Sequence, residues 1–312
     1  MEQSTREAYG NTLVELGRQN RDIVVLDADL SKSTLTNLFG KEFPDRFFDC
    51  GIAEQNMIGI AAGLAASGKT VFASTFAVFA PGRCFDQIRM SVAQPGLNVK
   101  IVTTHGGITV GEDGTSHHAI EDLALISSLP GFTVIVPADA PEAAQAVKVA
   151  AQTYGPFYIR LSRPKTPVVC PPDYKFVLGK AATLRQGKDL TIIAIGIMVA
   201  AALEAAKSLA RDGIDCRVLN MSTLKPLDID TIIKAAAETG AIITAEEHLR
   251  RGGLGSAVAQ VVAEHHPVPM SFIGINDVYA KSGTAQELLK RHHLTADDID
   301  NAARSLLSRK RN

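Results

Sequence analysis

The 312-residue sequence lacks tryptophan and carries almost no net charge. Its 32 lysines and arginines oppose 33 aspartates and glutamates, which gives a formal net charge of -1. Because recognition of nucleic acid or of an anionic membrane surface needs a basic excess, neither partner is expected. The four cysteines, Cys50, Cys84, Cys170 and Cys216, form no C-x-x-C pair. We therefore expect reduced thiols, with neither a zinc site nor a disulfide framework.

Long apolar runs and several common motifs are also missing. No stretch of about 18 residues is apolar enough for a transmembrane helix, and residues 1–4 do not begin a signal peptide, so a cytoplasmic protein is expected. The absence of G-x-G-x-x-G between a strand and a helix, of G-x-x-x-x-G-K-S/T and of G-x-S-x-G gives no indication of a dinucleotide fold, a P-loop or a nucleophile elbow. Six of the eight histidines stand in adjacent pairs whose side chains diverge, so no metal site is expected on this chain.

What the sequence does contain is an alternation of apolar strand patterns with helical patterns. Strands are predicted at 23–27, 70–75, 99–104, 133–136, 157–161, 190–195, 215–219, 241–245 and 270–273. Helices are predicted at 5–19, within the stretch 49–67 with Glu54 at the helix start, and at 85–93, 119–128, 141–153, 199–211, 228–238, 254–264, 284–291 and 295–308. This alternation predicts an α/β protein with mostly parallel sheets covered by helices.

A proline-rich interruption divides the pattern in two. From residue 163 to about 187 the regularity stops, and four prolines fall close together around Cys170. We interpret this stretch as an interdomain linker, since domain boundaries favour proline-rich irregular segments. The predicted domains are residues 1–165 and 188–312, with the linker at 166–187.

Glu54 begins an apolar helical segment rich in alanine and glycine. The helix dipole favours a carboxylate at this position, whereas burial disfavours its ionised form. Two interpretations follow from the segment alone: an ordinary helix-terminal charge, or a carboxyl whose protonation is fixed by a partner. The small side chains behind Glu54 suit close approach to another backbone, so we also predict an interface there.

Unusual polar residues concentrate in four loops at predicted strand ends. These loops span residues 28–34, 51–56, 74–83 and 105–118. The carboxyl ends of parallel strands bind ligands in open α/β sheets, and long polar loops usually carry function. The four loops are therefore the predicted site.

Motifs in these loops resemble the carboxyl-terminal half of transketolase, and the match covers essentially the whole chain. They are Gly51-Ile-Ala-Glu-Gln-Asn56, Ser74-Thr-Phe-Ala-Val-Phe79, Gly111-Glu-Asp-Gly-Thr-Ser-His117 and Leu161-Ser-Arg163. The resemblance implies a pyrimidine-binding domain for thiamine diphosphate followed by a transketolase C-terminal-like domain. The family's diphosphate-binding domain, with its Gly-Asp-Gly motif and metal-ligating Asn, is not in these residues. The resemblance therefore implies one subunit of a split transketolase, in a heterotetramer with two copies of an N-terminal subunit that ligates Mg²⁺ or Ca²⁺.

The resemblance also implies roles for residues that contact the cofactor. Glu54 matches the carboxyl that hydrogen-bonds the pyrimidine N1′ and promotes the imino tautomer needed to activate the thiazolium. Phe76 and Phe79 match the aromatic residues that pack on the pyrimidine, with core packing as the alternative. A further aromatic residue, frequent in the family one turn later, is replaced here near Gly82. Asp29 matches a position near the thiazolium or at a subunit contact.

Other matched residues imply contacts with the sugar substrates. His117 matches a residue that handles protons or hydrogen-bonds the carbonyl oxygen of the donor. Asp113 matches one that recognises an α-hydroxyl, with loop capping as the alternative. Four further residues match positions that grip a sugar phosphate; they are Arg6, Ser33, His105 and Arg163. Arg6 could equally be a surface charge.

The expected reaction is transfer of a two-carbon ketol unit from a ketose phosphate to an aldose phosphate. Synthesis of 1-deoxyxylulose 5-phosphate, a 2-oxo acid dehydrogenase β subunit and a transketolase for an unusual sugar are the enzymatic alternatives. A non-catalytic scaffold is a further one. For the second domain we predict a structural and oligomeric role. There the charged run 246–251 has two interpretations, a solvated turn or an anion site at a helix start, and we favour the turn.

Overall fold

A computed structural model describes residues 2–310, except the side chain of Lys310. It contains two sheets of five or more strands, both covered by helices, as the alternating pattern predicts. A small additional sheet pairs β1 (Glu2–Gln3) with β8 (Thr166–Pro167). The prediction of two mostly parallel sheets is confirmed.

The first sheet has seven strands in the order β12-β6-β7-β5-β4-β2-β3. Its strands are β2 (Ile23–Asp27), β3 (Phe47–Asp49), β4 (Thr70–Phe76), β5 (Val99–Thr104), β6 (Thr133–Ile135), β7 (Phe157–Arg160) and β12 (Thr223–Lys225). All neighbours are parallel except β12, which pairs antiparallel with β6. Every residue of β2, β4 and β5 is buried, because helices cover both faces.

The helices around this sheet carry the site loops at their ends. They are α1 (Thr5–Gln19), α2 (Ser31–Thr34), α3 (Asn37–Glu42), α4 (Glu54–Ala66), α5 (Phe79–Gln87), α6 (Asp122–Ser127) and α7 (Ala140–Gln152). The predicted helix at 85–93 is wrong in its form. The chain is helical from Phe79, leaves helical geometry at Cys84 and continues as a π-helix over Ile88–Ala93.

The second sheet has the order β14-β13-β10-β11-β9, with β9 antiparallel at its edge. Its strands are β9 (Ala182–Arg185), β10 (Leu190–Ala194), β11 (Cys216–Asn220), β13 (Ile242–Leu249) and β14 (Met270–Ile275). Its helices are α8 (Met198–Arg211), α9 (Ile229–Thr239), α10 (Leu254–His265), α11 (Ala285–Arg291) and α12 (Ala296–Lys310). None of the helices described within residues 2–310 has the length and apolar character needed to cross a membrane.

Two strands tie the halves of the chain together in ways that local pattern did not predict. β9 lies inside the predicted linker and pairs with β11 of the second sheet. β12 follows the second-domain strand β11 but joins the first sheet beside β6. One of the hydrophobic clusters spans both halves, because it contains Val136 of the first half and Ile195 of the second.

Candidate active site

Glu54 lies at the first turn of α4 and is only 4% exposed. The preceding loop turns sharply at Gly51, which has a φ of +67°, a conformation that glycine adopts readily. The Asp49 carboxylate accepts hydrogen bonds from the backbone N–H of Gly51 at 3.0 Å and of Asp29 at 2.9 Å. One side chain therefore fixes two of the predicted site loops where β2 and β3 end.

Four rings gather beside this loop at the ends of β4 and β5. Phe76 and Phe79 stack with their centroids 5.8 Å apart, and the His105 ring stacks on Phe76 at 3.8 Å. The His117 ring meets Phe79 edge-on at 5.4 Å. Phe76 and His105 are buried, whereas Phe79 and His117 are half-buried. The structure thus brings together an aromatic wall from the loop 74–83 and two imidazoles from the loop 105–118.

His105 is held as a neutral imidazole. Burial, together with the positive charges of Arg6 and Arg163, lowers the pKa of this histidine to about 3. Its Nδ1 lies 2.8 Å from the Thr104 hydroxyl. A neutral ring can both donate and accept a hydrogen bond, so His105 can hydrogen-bond a ligand without contributing a charge.

A cluster of polar and charged residues lies near His105. The Arg6 guanidinium donates to the backbone oxygen of Ser33 at 2.7 Å and to that of Arg163 at 3.0 Å. Arg163 donates to the oxygen of Val110 and lies 3.5 Å from the Asp113 carboxylate. The four predicted substrate residues Arg6, Ser33, Asp113 and Arg163 are therefore neighbours, and both arginines act electrostatically on His105.

Asp29 is exposed and has a φ of +60°, so its backbone is fixed in the left-handed region. Within residues 2–310 no side-chain contact is seen between Asp29 and the rings or the arginines. The residue beneath it, Asp27, was not singled out from the sequence. It is fully buried, and it accepts hydrogen bonds from Thr34 and Thr36 that hold the loop 28–34. Burial raises its pKa to about 6.

Arg83 is a second residue that the sequence did not reveal. Its Nη1 donates to Glu54 Oε1 at 2.8 Å, and its Cζ lies over the Phe79 ring at 4.0 Å. Four residues separate Phe79 from Arg83, a spacing that places two side chains on one face of a helix. Arg83 therefore bridges the predicted cofactor carboxyl and the aromatic wall.

The charged run of the second domain has a different role from the one we expected. Residues 246–248 are buried in β13, so the predicted solvated turn is wrong there. The carboxylate of Glu246 accepts hydrogen bonds from the backbone N–H of Leu254 at 2.7 Å and of Gly255 at 2.8 Å. Glu246 thereby caps the N-terminus of α10, where the helix dipole favours a carboxylate. A Cβ at Gly253 would lie 1.9 Å from Glu246 Oε2, so only glycine fits there without a shift.

Family models match two segments of the chain. Residues 1–168 match the transketolase pyrimidine-binding domain, and residues 179–299 match the transketolase C-terminal domain. Two curated relatives are similar over nearly the whole chain. A 6-deoxy-6-sulfo-D-fructose transketolase subunit from Clostridium sp. (strain MSTE9) is 42% identical and covers 98% of this chain and 95% of its own length. One of the apulose-4-phosphate transketolase subunits, from Phocaeicola vulgatus, is 43% identical and covers 94% of each.

A solved structure is also similar over nearly the full length. It is described as a split-gene transketolase in an inactive β4 tetramer, and it is 55% identical to this chain. The two superpose with a TM-score of 0.92, and the match covers 98% of each chain. The chain therefore belongs to the transketolase family, of which it comprises the pyrimidine-binding and C-terminal domains.

Proposed function

We propose that this chain is one subunit of a split, thiamine diphosphate-dependent transketolase. With a separate diphosphate-binding subunit, it transfers a two-carbon ketol unit from a ketose phosphate to an aldose phosphate. The observation that carries the proposal is the buried Glu54 carboxyl, connected through Arg83 to the aromatic wall of Phe76 and Phe79. The heterotetramer of two subunits of each kind, and the assignment of Mg²⁺ or Ca²⁺ to the partner, belong to the same proposal.

The donor set on this chain fits the pyrimidine half of the cofactor. A nitrogen heterocycle needs an apolar or aromatic face and a polar group at its edge. Phe76 and Phe79 supply the face, and Glu54 supplies a carboxyl for the ring nitrogen. When bound, thiamine diphosphate supplies a stabilised carbanion for cleavage and formation of carbon–carbon bonds. Glu54 holds and returns a proton at the ring nitrogen, and its burial strengthens that hydrogen bond.

The remaining residues bind and orient the sugar. His117 lies at the edge of the aromatic wall and handles a proton at the carbonyl oxygen of the donor. Arg6, Arg163, Ser33 and the neutral His105 hold the sugar phosphate, and Asp113 recognises a hydroxyl. The ion pair between Arg163 and Asp113 places a phosphate-binding residue beside the residue that recognises the hydroxyl.

A transketolase for an unusual sugar is the second candidate. It is favoured by the Clostridium and Phocaeicola relatives, whose names specify a sulfonated and a branched sugar. Both candidates use the same cofactor residues, so a screen of donors and acceptors on the reconstituted enzyme separates them.

The test is the variant Glu54→Gln, assayed with the partner subunit and thiamine diphosphate. Removing a proton-transfer group lowers turnover by roughly 10²–10⁴-fold. Glu7→Gln is the matched control, because Glu7 also lies in the first turn of a helix but is exposed. It should retain wild-type activity. Circular dichroism should show both variants folded. Substantial activity of Glu54→Gln at low cofactor, or full wild-type activity without the partner, would contradict the proposal.

A further inference from the structure

Arg83 contacts Glu54 and Phe79, two of the residues that the proposed function assigns to the pyrimidine. Its guanidinium pairs with the Glu54 carboxylate and covers the ring of Phe79. The Arg83 side chain is 47% exposed, whereas Glu54 is nearly completely buried. A buried carboxyl without a partner loses its hydration with no compensation. Arg83 supplies that compensation for Glu54.

The local sequence explains why Arg83 reaches this position. The third aromatic residue expected one turn after Phe79 is absent, and a Cβ at Gly82 would meet nothing within 4 Å. The space beside Phe79 is therefore left to the next side chain, which is Arg83. The backbone oxygen of Arg83 accepts a hydrogen bond from Gln55 Nε2 at 2.8 Å. This bond links the backbone of α5 to α4 and does not involve the guanidinium.

We propose that Arg83 is a placeholder for the cofactor. It neutralises Glu54 and covers Phe79 while the pyrimidine is absent, and it releases both when the ring binds. The inference rests on the proposed function, because it takes Glu54 and Phe79 as the groups that contact the cofactor. Release is inexpensive, since a half-exposed guanidinium regains water as it leaves. Release is also required, because the guanidinium is bonded to Glu54 Oε1 and so occupies a carboxyl oxygen that the ring nitrogen needs.

The first test measures cofactor affinity with the reconstituted enzyme. Arg83→Gln should lower the Kd for thiamine diphosphate by about three- to tenfold, the size expected when a half-exposed ion pair no longer competes. Arg83→Lys, which keeps the charge, should lie close to wild type. Arg89→Gln is the matched control, because Arg89 pairs with an exposed aspartate on the same helical stretch and should change nothing.

The second test needs no cofactor. In the isolated chain, Arg83→Gln should lower the thermal unfolding midpoint by about 2 °C, because Glu54 loses its partner. Adding Glu54→Gln to that variant should restore most of the loss, since the unpaired carboxyl is then gone. This coupling between the two positions is absent if Arg83 is only a surface charge.

The outcomes separate the placeholder from the proposed function. Weaker cofactor binding in Arg83→Gln would show that Arg83 holds the ring, and an unchanged Kd would show that it does not compete. Either result overturns the placeholder and leaves the proposed function intact. No binding of thiamine diphosphate by the wild-type pair would overturn both.

Discussion

Glu54 and Asp122 are both buried carboxylates paired with arginine, and their surroundings differ. Glu54 pairs with Arg83, which is half-exposed and makes this contact at the mouth of the site. Asp122 lies at the junction of the two domains and faces Arg160 Nε at 3.0 Å, with both side chains at most 5% exposed. That approach is an ion pair without the alignment of a hydrogen bond, since Nε has no hydrogen-bond partner among the described residues.

The junction is linked on several sides. Tyr158 donates its hydroxyl to Asp122 at 2.7 Å, and Arg160 donates to the backbone oxygens of Ala119 at 2.9 Å and Glu247 at 3.0 Å. The Glu247 carboxylate in turn accepts the backbone N–H of Thr109 at 2.6 Å. An ion pair embedded this way cannot exchange its partner for water. The two pairs differ in the solvent exposure of the arginine. The half-exposed Arg83 can leave Glu54, whereas the buried Arg160 stays paired with Asp122 and helps to hold the two domains together.

The largest effect expected from this comparison is on stability. Arg160→Gln strands the Asp122 carboxylate in the interior and should lower the free energy of unfolding by about 3–5 kcal/mol. Arg83→Gln should lower it by less than about 1 kcal/mol, because its guanidinium is half-exposed. Denaturant unfolding of the full chain at neutral pH measures both. Equal losses in the two variants would break the distinction between the pairs.

The stability contributed by the domain junction is expected to depend on pH, because the junction contains the buried carboxyl of Glu247. Burial raises the pKa of Glu247 to about 7, against about 4.3 for an unfolded glutamate. Between these pH values the folded chain binds this proton more strongly than the unfolded chain does. The contribution of Glu247 to stability is therefore greatest below about pH 4.3 and falls as the pH rises to about 7.

Glu247→Gln should remove this dependence. Relative to wild type, the variant should gain up to about 3 kcal/mol between pH 4.3 and 7, and the difference should level off above pH 7. The charged and titratable groups around Glu247 remain in the variant; they are Arg160, Asp122, Glu246, His248 and Tyr158. Unfolding midpoints at several pH values measure the difference. Parallel profiles for the two proteins would show that Glu247 does not titrate there.

Features with a local sequence pattern could be predicted from the sequence. The strands 23–27 and 99–104 were predicted with the bounds they have in the structure, because β-branched residues are concentrated in both. The loops 51–56, 74–83 and 105–118 were identified by their polar residues and motifs. Glu54 was correctly expected to be buried at a helix start, although its role stays a prediction.

Three of the missed features depend on distant parts of the chain. The strand 223–225 pairs with 133–135, some 90 residues earlier, and its own three residues carry no periodic pattern. The burial of Glu246 and Glu247 depends on contacts with α10 and with Thr109, so a run of charges was taken for a solvated turn. Arg83 was overlooked because its partner Glu54 lies on another helix.

His105 connects the two regions, and its variant is expected to have a smaller effect than Arg160→Gln or Glu247→Gln. It stacks on Phe76 in the candidate site, and four residues later Thr109 is bonded to Glu247 at the junction. His105→Ala removes a neutral hydrogen-bonding group, which is worth about 1 kcal/mol. The KM for phosphorylated donors should therefore rise roughly five- to tenfold, with a smaller rise for unphosphorylated donors. Because the pKa of His105 is lowered to about 3, the ratio of the two KM changes should be the same from pH 6 to 8.

Steady-state kinetics of the reconstituted enzyme on a matched pair of donors provides the measurement. Equal changes for both donors would remove His105 from the phosphate site. A ratio that varies with pH would show that the imidazole is charged, and that burial does not control it.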